Sequence, residues 1–260
     1  MKKEKNNCTI IISSCDAYSD AWKPFFTLFF RYWPDCPFTI HLISNTLKYT
    51  DKRVHALTIT PDLKWSSNLI TSLQQISEKY IIYFQEDYFL RSKVDNKKIF
   101  QALALADKTN AAYIRLFPCP EPDLPYQNRT DIGLISKDAL YRNSTQTAIW
   151  NKQQLIKLLQ PGETGWDFEV KGGIERSRLI KELFFAYYEP VINYFCTAIL
   201  KGVYLFDAVK FAKSEGIKLD RNARKFENYF HFIFRTSGIK AQLKKLLQPY
   251  TNFIKTHRKK

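Results

Sequence analysis

The run Tyr80-Ile81-Ile82-Tyr83-Phe84 constrains this chain more than any other segment. Five β-favouring residues in a row, without polar alternation, read as a strand buried on both faces. Gln85-Glu86-Asp87-Tyr88 follows directly. Two adjacent carboxylates at the end of a buried strand are costly unless a cation or hydrogen-bond donors meet them. In open α/β sheets that edge is where ligands bind. A divalent metal holding a diphosphate suits the pair, because hard cations prefer carboxylate oxygens and keep phosphate as a further ligand. The plainer reading is that Glu86 and Asp87 cap the turn leaving the strand.

Around this run the pattern alternates between strands and helices. Thr9 to Ser13 reads as a strand, and a polar turn, Ser14 to Asp20, leads into a helix marked by Trp22, Phe25, Phe26, Phe29 and Phe30 and stopped at Trp33-Pro34. Phe38 to Ile43 and Arg53 to Thr60 read as strands. Trp65-Ser66-Ser67-Asn68 offers helix caps, and Leu69, Leu73 and Ile76 form one face of the helix before the Tyr80 strand. Ile99 to Ala106 reads as helix and Ala111 to Phe117 as strand. Such alternation argues an α/β sheet built from crossover units.

The second half is less regular. Pro118 to Leu124 reads as a loop, with a short strand within Tyr141 to Trp150. Asn151 caps a helix with Leu155, Leu158 and Leu159 inward, Trp166-Asp167-Phe168-Glu169 begins a further element, and Leu179 to Tyr188 reads as helix. The expected division is one α/β domain over 1–210 and a basic helical extension over 211–260.

Charge sharpens that division. From Arg221 to Lys260 eleven Lys or Arg stand against one acid, Glu227, so +10 of the formal net charge of +15 lies in the tail. Ile239, Leu243, Leu246, Leu247, Tyr250, Phe253 and Ile254 recur there at helical spacing, with Lys240, Lys244 and Lys245 on the other side. A basic amphipathic helix can lie on an anionic membrane, or it can pack its stripe on the protein. Five scattered cysteines without a C-x-x-C pair support neither a disulfide framework nor a zinc site. With no secretory leader expected from the charged start, a cytoplasmic location fits, peripheral at the inner face of the cell membrane.

Taken together, Ser14-Cys15-Asp16-Ala17-Tyr18-Ser19-Asp20-Ala21-Trp22, Trp65-Ser66-Ser67-Asn68, Glu86-Asp87-Tyr88-Phe89, Gln146-Thr147-Ala148-Ile149-Trp150 and Trp166-Asp167-Phe168-Glu169 resemble a known group. It is the GT-A type glycosyltransferases encoded with bacterial capsule and lipopolysaccharide genes. The resemblance implies a GT-A-like, Rossmann-like mixed sheet flanked by helices. It implies a UDP- or GDP-linked sugar donor and a lipid-linked or growing polysaccharide acceptor. Ser14, Asp16 and Asp20 would hold the base and ribose with Asn68 assisting, and Glu86 and Asp87 would bind Mn²⁺ or Mg²⁺ and the diphosphate; Asp16 and Asp20 could instead serve only as acids at a helix N-terminus. The sequence departs from an Asp-x-Asp triplet because Gln85 stands at its first position, and an amide is a poorer metal ligand.

Without a metal, Lys171, Arg176 and Lys201 are the candidate cations for the departing diphosphate, or else solvated surface charges. An inverting transfer needs a carboxylate base, for which Asp167 and Glu169 are candidates and the resemblance favours Glu169. An extended backbone points both acids to one face, whereas a helix separates them by about 200°. Trp150 and Trp166 are candidate sugar-stacking walls, or ordinary core. Two rivals stand beside this reading. A nucleotidyltransferase would also use a strand-end acidic pair, but Ser13 to Asp20 contains no glycine, lysine or arginine for a phosphate loop. A nucleic-acid-binding protein is disfavoured, because the positive charge is confined to one end and the acidic motifs repel phosphate, so no nucleic acid is expected.

Overall fold

The computed structural model of the protein describes residues 7–237. In chain order its elements are β1 (Cys8–Ser13), a 3-10 turn (Asp16–Tyr18), α1 (Ser19–Tyr32), β2 (Ile40–Ser44), β3 (Val54–Thr58), α2 (Trp65–Gln74), β4 (Tyr80–Gln85), β5 (Phe89–Leu90), α3 (Asn96–Thr109), β6 (Tyr113–Arg115), β7 (Leu124–Tyr126) and β8 (Arg129–Leu134). They continue with β9 (Ala148–Asn151), α4 (Lys152–Leu158), α5 (Gly165–Val170), α6 (Gly172–Arg178), β10 (Phe184–Tyr187), β11 (Tyr194–Phe195), β12 (Ile199–Leu200), β13 (Val203–Tyr204), α7 (Phe206–Ser214) and α8 (Tyr229–Thr236). The chain divides into two compact units, Met1–Cys196 and Thr197–Lys260. Residue 210, where the sequence suggested the division, falls inside α7.

The first unit is an α/β fold on a nine-stranded mixed sheet of order β3-β2-β1-β4-β9-β6-β10-β8-β7. The β3-β2-β1-β4 half is wholly parallel, the arrangement of half a doubly wound sheet. β9 runs antiparallel between β4 and β6, and β10 returns parallel to β6. A two-stranded ribbon of β5 and β11 stands apart from the main sheet.

The central strands have helices on both faces, which is why they lack polar alternation. Along β4, Phe84 turns to α1 and meets Phe25 and Phe29 edge-on at 6.3 and 5.9 Å. Ile81 and Tyr83 turn to the opposite core, shared with Leu69 and Leu73 of α2 and Leu155 and Leu158 of α4. Asn151 caps α4 through its Oδ1, which accepts from the amides of Gln153 and Gln154 at 3.1 and 3.3 Å, the kind of bond that terminates a helix cleanly.

Two expected elements differ. Leu179 to Tyr188 is not a helix: α6 ends at Arg178, Leu179 is exposed, and Phe184–Tyr187 forms β10, buried on both faces. A short continuous apolar run satisfies helix and strand periodicity alike, and pairing with β6 on one side and β8 on the other decides for strand. Trp65-Ser66-Ser67-Asn68 does not cap α2, since all four residues lie inside the helix and its cap, Lys64, makes no side-chain cap bond.

In the second unit, β12 and β13 pair as a hairpin and α7 and α8 follow. The apolar stripe from Ile239 to Ile254 lies outside the described residues. Among the described residues no helix is long and apolar enough to cross a membrane.

Candidate active site

The register of the sheet fixes the site. Ser13 of β1 pairs with Gln85 of β4, so the turns after both strands, Ser14–Asp16 and Glu86–Asp87, open at the same edge. β6 ends there at Arg115, and β9, running the other way, begins there at Ala148. The edge is therefore lined by four connections that are distant in sequence.

Glu86 and Asp87 are 7% and 6% exposed. Glu86 acts electrostatically on Cys15 beyond β1 and on Tyr83 of β4, so its charge lies near the ends of both strands. Burial raises the Tyr83 phenol to about 12, and its oxygen is in hydrogen-bond contact with Ser13, Gln85 and the Trp65 indole. Gln85 thus turns back to Tyr83 at 3.3 Å. Among the described residues no group of three or more His, Cys, Asp and Glu side chains is assembled. Glu86 and Asp87 adjoin in the chain, and a hard cation held by them would have to take most of its shell from water and phosphate.

Asp16 is occupied by the protein itself. Its carboxylate accepts from the amides of Asn45 and Thr46, each at 2.9 Å, from the Thr46 hydroxyl at 2.6 Å and from the Leu47 amide at 3.2 Å. The little burial it has opposes ionisation, but these donors outweigh it and hold the carboxyl below its usual value. Asp16 therefore clamps the turn after β2 to the turn after β1. The Ser14 hydroxyl accepts from the Trp22 indole at 2.8 Å. Asp20 lies in the first turn of α1, where an acid favours the helix N-terminus. Asn68 is buried and bridges the loop before α2, accepting from the Leu63 amide at 2.9 Å and donating to Asp62 at 2.8 Å. Ser14, Asp16 and Asn68 thus shape loops at this edge, while Asp20 serves the start of α1.

The two candidate bases separate clearly because Gly165–Val170 is helical. Thr164 and Asp167 form a reciprocal capping box at the start of α5, and Lys171 Nζ lies 2.6 Å from Asp167 Oδ1. The Lys171 bond first, then those from Thr164, press the Asp167 carboxyl far below the ordinary carboxylate range, which leaves it a weak base. Glu169 points elsewhere. Its Oε1 accepts from the Thr145 amide at 2.6 Å, the Thr145 hydroxyl at 2.8 Å and the Ser144 hydroxyl at 3.1 Å. Its Oε2 has no hydrogen-bond partner among the described residues.

Thr145 connects this acid to the strand-end pair: its carbonyl accepts the hydroxyl of Tyr88, the residue after Asp87, at 3.1 Å. Tyr88 stacks on Tyr194 at 4.8 Å, and the Tyr194 hydroxyl donates to Gln146 Oε1 at 2.6 Å while accepting the Thr147 amide at 3.0 Å. Nothing in the periodicity marks Ser144, Thr145 or Tyr194. The available signal is the polar run Asn143-Ser144-Thr145 immediately before a buried strand.

The remaining candidates divide. Trp150 is 1% exposed and packs on Tyr113 at 4.3 Å and Phe168 at 6.2 Å, so it offers no ring face to a sugar. It is core because β9 is a central strand, and it supports α5 from beneath through Phe168. Trp166 is 64% exposed. Lys171 is engaged by Asp167, and Arg176 by Glu163 at 2.5 Å and the Leu158 carbonyl at 2.7 Å, so both serve α5, α6 and the turn before them. Lys201 sits at a positive φ of 51° on the turn between β12 and β13, in the second unit. Gly173 matters to the acid's placement: a Cβ there would meet the Phe168 carbonyl oxygen at 2.0 Å, so only glycine lets α6 start against α5.

No protein-family profile matches the sequence, and no curated protein matches it. Among solved structures the chain is similar to TarS 1-349 of S. aureus, with a TM-score of 0.48 and 10% identity over 74% of this chain and 60% of that one. The chain thus spans about three fifths of that structure. The same TarS segment in complex with UDP-GlcNAc gives 0.47 and 10% over 72% and 57%. A cytidylyltransferase from Leptospira borgpetersenii serovar Hardjo-bovis gives 0.45 and 11% over 81% and 95%.

Proposed function

We propose that the protein is a glycosyltransferase that moves a sugar from a UDP- or GDP-linked donor to a lipid-linked or growing bacterial surface polysaccharide of the capsule or lipopolysaccharide type. The observation that carries this reading is Thr145, which holds Glu169 with its amide and hydroxyl and receives Tyr88 with its carbonyl. One residue thereby ties a half-free carboxylate to the turn that carries two buried carboxylates. The donor's nucleoside lies over the turns after β1 and β2, whose shape Ser14, Asp16 and Asn45 maintain, and its diphosphate lies toward Glu86 and Asp87.

In this reading Glu169 Oε2 takes the proton of an acceptor hydroxyl. The acceptor oxygen attacks the anomeric carbon from the face opposite the leaving group, and the bond from that carbon to the phosphate oxygen breaks. Trp166 offers an exposed ring face to the acceptor sugar. With Lys171 and Arg176 engaged by neighbouring acids, Mn²⁺ or Mg²⁺ on Glu86 and Asp87 would supply the positive charge that stabilises the departing diphosphate.

The reading also places the protein at the inner face of the cell membrane. Support comes from α8, whose Tyr229, Phe230, Ile233 and Phe234 are exposed, within the segment that carries most of the positive charge. Truncation after Asp220 should weaken sedimentation with anionic vesicles, and salt should weaken it in the intact chain. Equal binding by both forms refutes the membrane role.

The activity is tested by incubating the protein with sugar nucleotides and Mn²⁺ and identifying the phosphate product. Release of nucleoside diphosphate supports glycosyl transfer. Release of pyrophosphate from a nucleoside triphosphate and a sugar phosphate would instead identify a nucleotidyltransferase.

A further inference from the structure

The five cysteines show no paired spacing, yet the first unit brings two of them together. Cys119 lies in the turn after β6, and Cys196 directly follows β11. Their thiols are in hydrogen-bond contact. Cys119 is exposed, whereas Cys8 is buried and Cys15 and Cys36 are half-buried. The surroundings favour a reactive sulfur at Cys119. The buried Arg115 guanidinium donates to the Pro120 carbonyl at 2.7 Å, fixing a positive charge beside the turn that carries Cys119. Cys196 Sγ is also held, lying 3.4 Å from Gln146 Oε1.

The contact with Cys196 first, and then the Arg115 charge, outweigh burial and the Glu169 carboxylate and draw the Cys119 thiol down to about 6. Burial acts the other way on the remaining thiols, raising Cys8 and Cys15 and pushing Cys36 up to about 12. Cys119 is thus drawn toward the thiolate and has a second thiol in contact, the arrangement of an attacking and a resolving cysteine.

We propose that Cys119 and Cys196 form a peroxide-reactive dithiol at the edge of the candidate active site that closes reversibly to a disulfide. The Cys119 thiolate attacks one oxygen of a hydroperoxide, the O–O bond breaks, and the departing oxygen takes a proton to leave as water or an alcohol. Cys119 is then a sulfenic acid. The Cys196 sulfur attacks the Cys119 sulfur, the S–O bond breaks, and the hydroxide combines with the Cys196 proton as water. The two sulfurs together lose two electrons and the peroxide gains them. The bond ties the turn after β6 to the end of β11 and removes the Cys196 thiol from Gln146. A thiol reductant returns both cysteines.

The test uses the full, reduced chain treated with hydrogen peroxide and read by intact mass and non-reducing peptide mapping. The expected result is a loss of about 2 Da, reversed by dithiothreitol, with the Cys119 and Cys196 peptides linked. Cys196→Ser should stop the reaction at a dimedone-trappable sulfenic acid on Cys119, and Cys119→Ser should show no loss of mass. Should either variant fail to fold, iodoacetamide labelling of the unaltered protein at pH 7 decides, with Cys119 labelled before the other four cysteines. Five free thiols after peroxide, a disulfide between other cysteines, or slow labelling of Cys119 overturns the proposal. None of these readouts depends on the transferase reading.

Discussion

Glu169→Gln separates the acid's structural work from its chemical work. The amide keeps an acceptor oxygen for Ser144 and Thr145, whose donors lie 2.6 to 3.1 Å from Oε1. What is lost is the charge assistance, the difference between about 1.5–3 kcal/mol for a bond to an ion and about 1 for a neutral one. Because Glu169 is only half-buried, solvent screening discounts this, and a net loss of about 1 kcal/mol is expected. A domain of this size should then lose about 2–4 °C in Tm. The chemical loss is larger. A neutral amide cannot take the acceptor's proton, so turnover should fall by on the order of 10²–10⁴, equivalent to about 3–5 kcal/mol of barrier.

The assay compares transfer rate, donor affinity and Tm for Glu169→Gln and Asp167→Asn; donor hydrolysis by water serves as the rate until the acceptor is known. Asp167→Asn should lower Tm by weakening the capping box and the Lys171 pair while leaving turnover near normal. Near-normal turnover in Glu169→Gln with an inactive Asp167→Asn would move the base to Asp167. Full activity in both would remove α5 from the mechanism.

Other expectations are equally direct. Trp150→Ala should cost about 3–5 kcal/mol in denaturant unfolding as a core deletion, whereas Trp166→Ala should leave stability unchanged and raise the KM for acceptor. Gly173→Ala should destabilise by about 1–3 kcal/mol or more, read by thermal unfolding, because its methyl has no room against the Phe168 carbonyl. For Asp16, whose folded value is depressed from 3.8, the stability contribution is present above that pH and lost as pH falls through the folded value. The Tm gap between the unaltered protein and Asp16→Asn should accordingly be present at pH 7 and shrink as the pH drops below about 4.

The parts legible in the sequence are those written in local signals. β1, β4 and the Asn151-capped α4 each carry their signal within a few residues, an uninterrupted apolar run or a cap before a leucine face. β10 was not legible, because the aromatic run around Phe184 fits either period and only its neighbours in the sheet choose between them. Tryptophan identity did not reveal role: Trp150 and Trp166 are alike in sequence terms, and burial on a central strand separates them. Glu169 could be proposed from its motif, but the residues that hold it, Ser144 and Thr145, lie about 24 positions earlier and are joined to it only by the fold. The Cys119–Cys196 contact is likewise a product of two distant turns meeting at one edge.

The claim that the turn after β4 receives a nucleoside diphosphate is tested most directly by calorimetric titration of UDP and GDP, with and without Mn²⁺, into the unaltered protein and Asp87→Asn. The expected result is Mn²⁺-dependent binding of one nucleotide to the unaltered protein, abolished in a folded Asp87→Asn variant. Affinity that is unchanged by the substitution and indifferent to Mn²⁺ would contradict it.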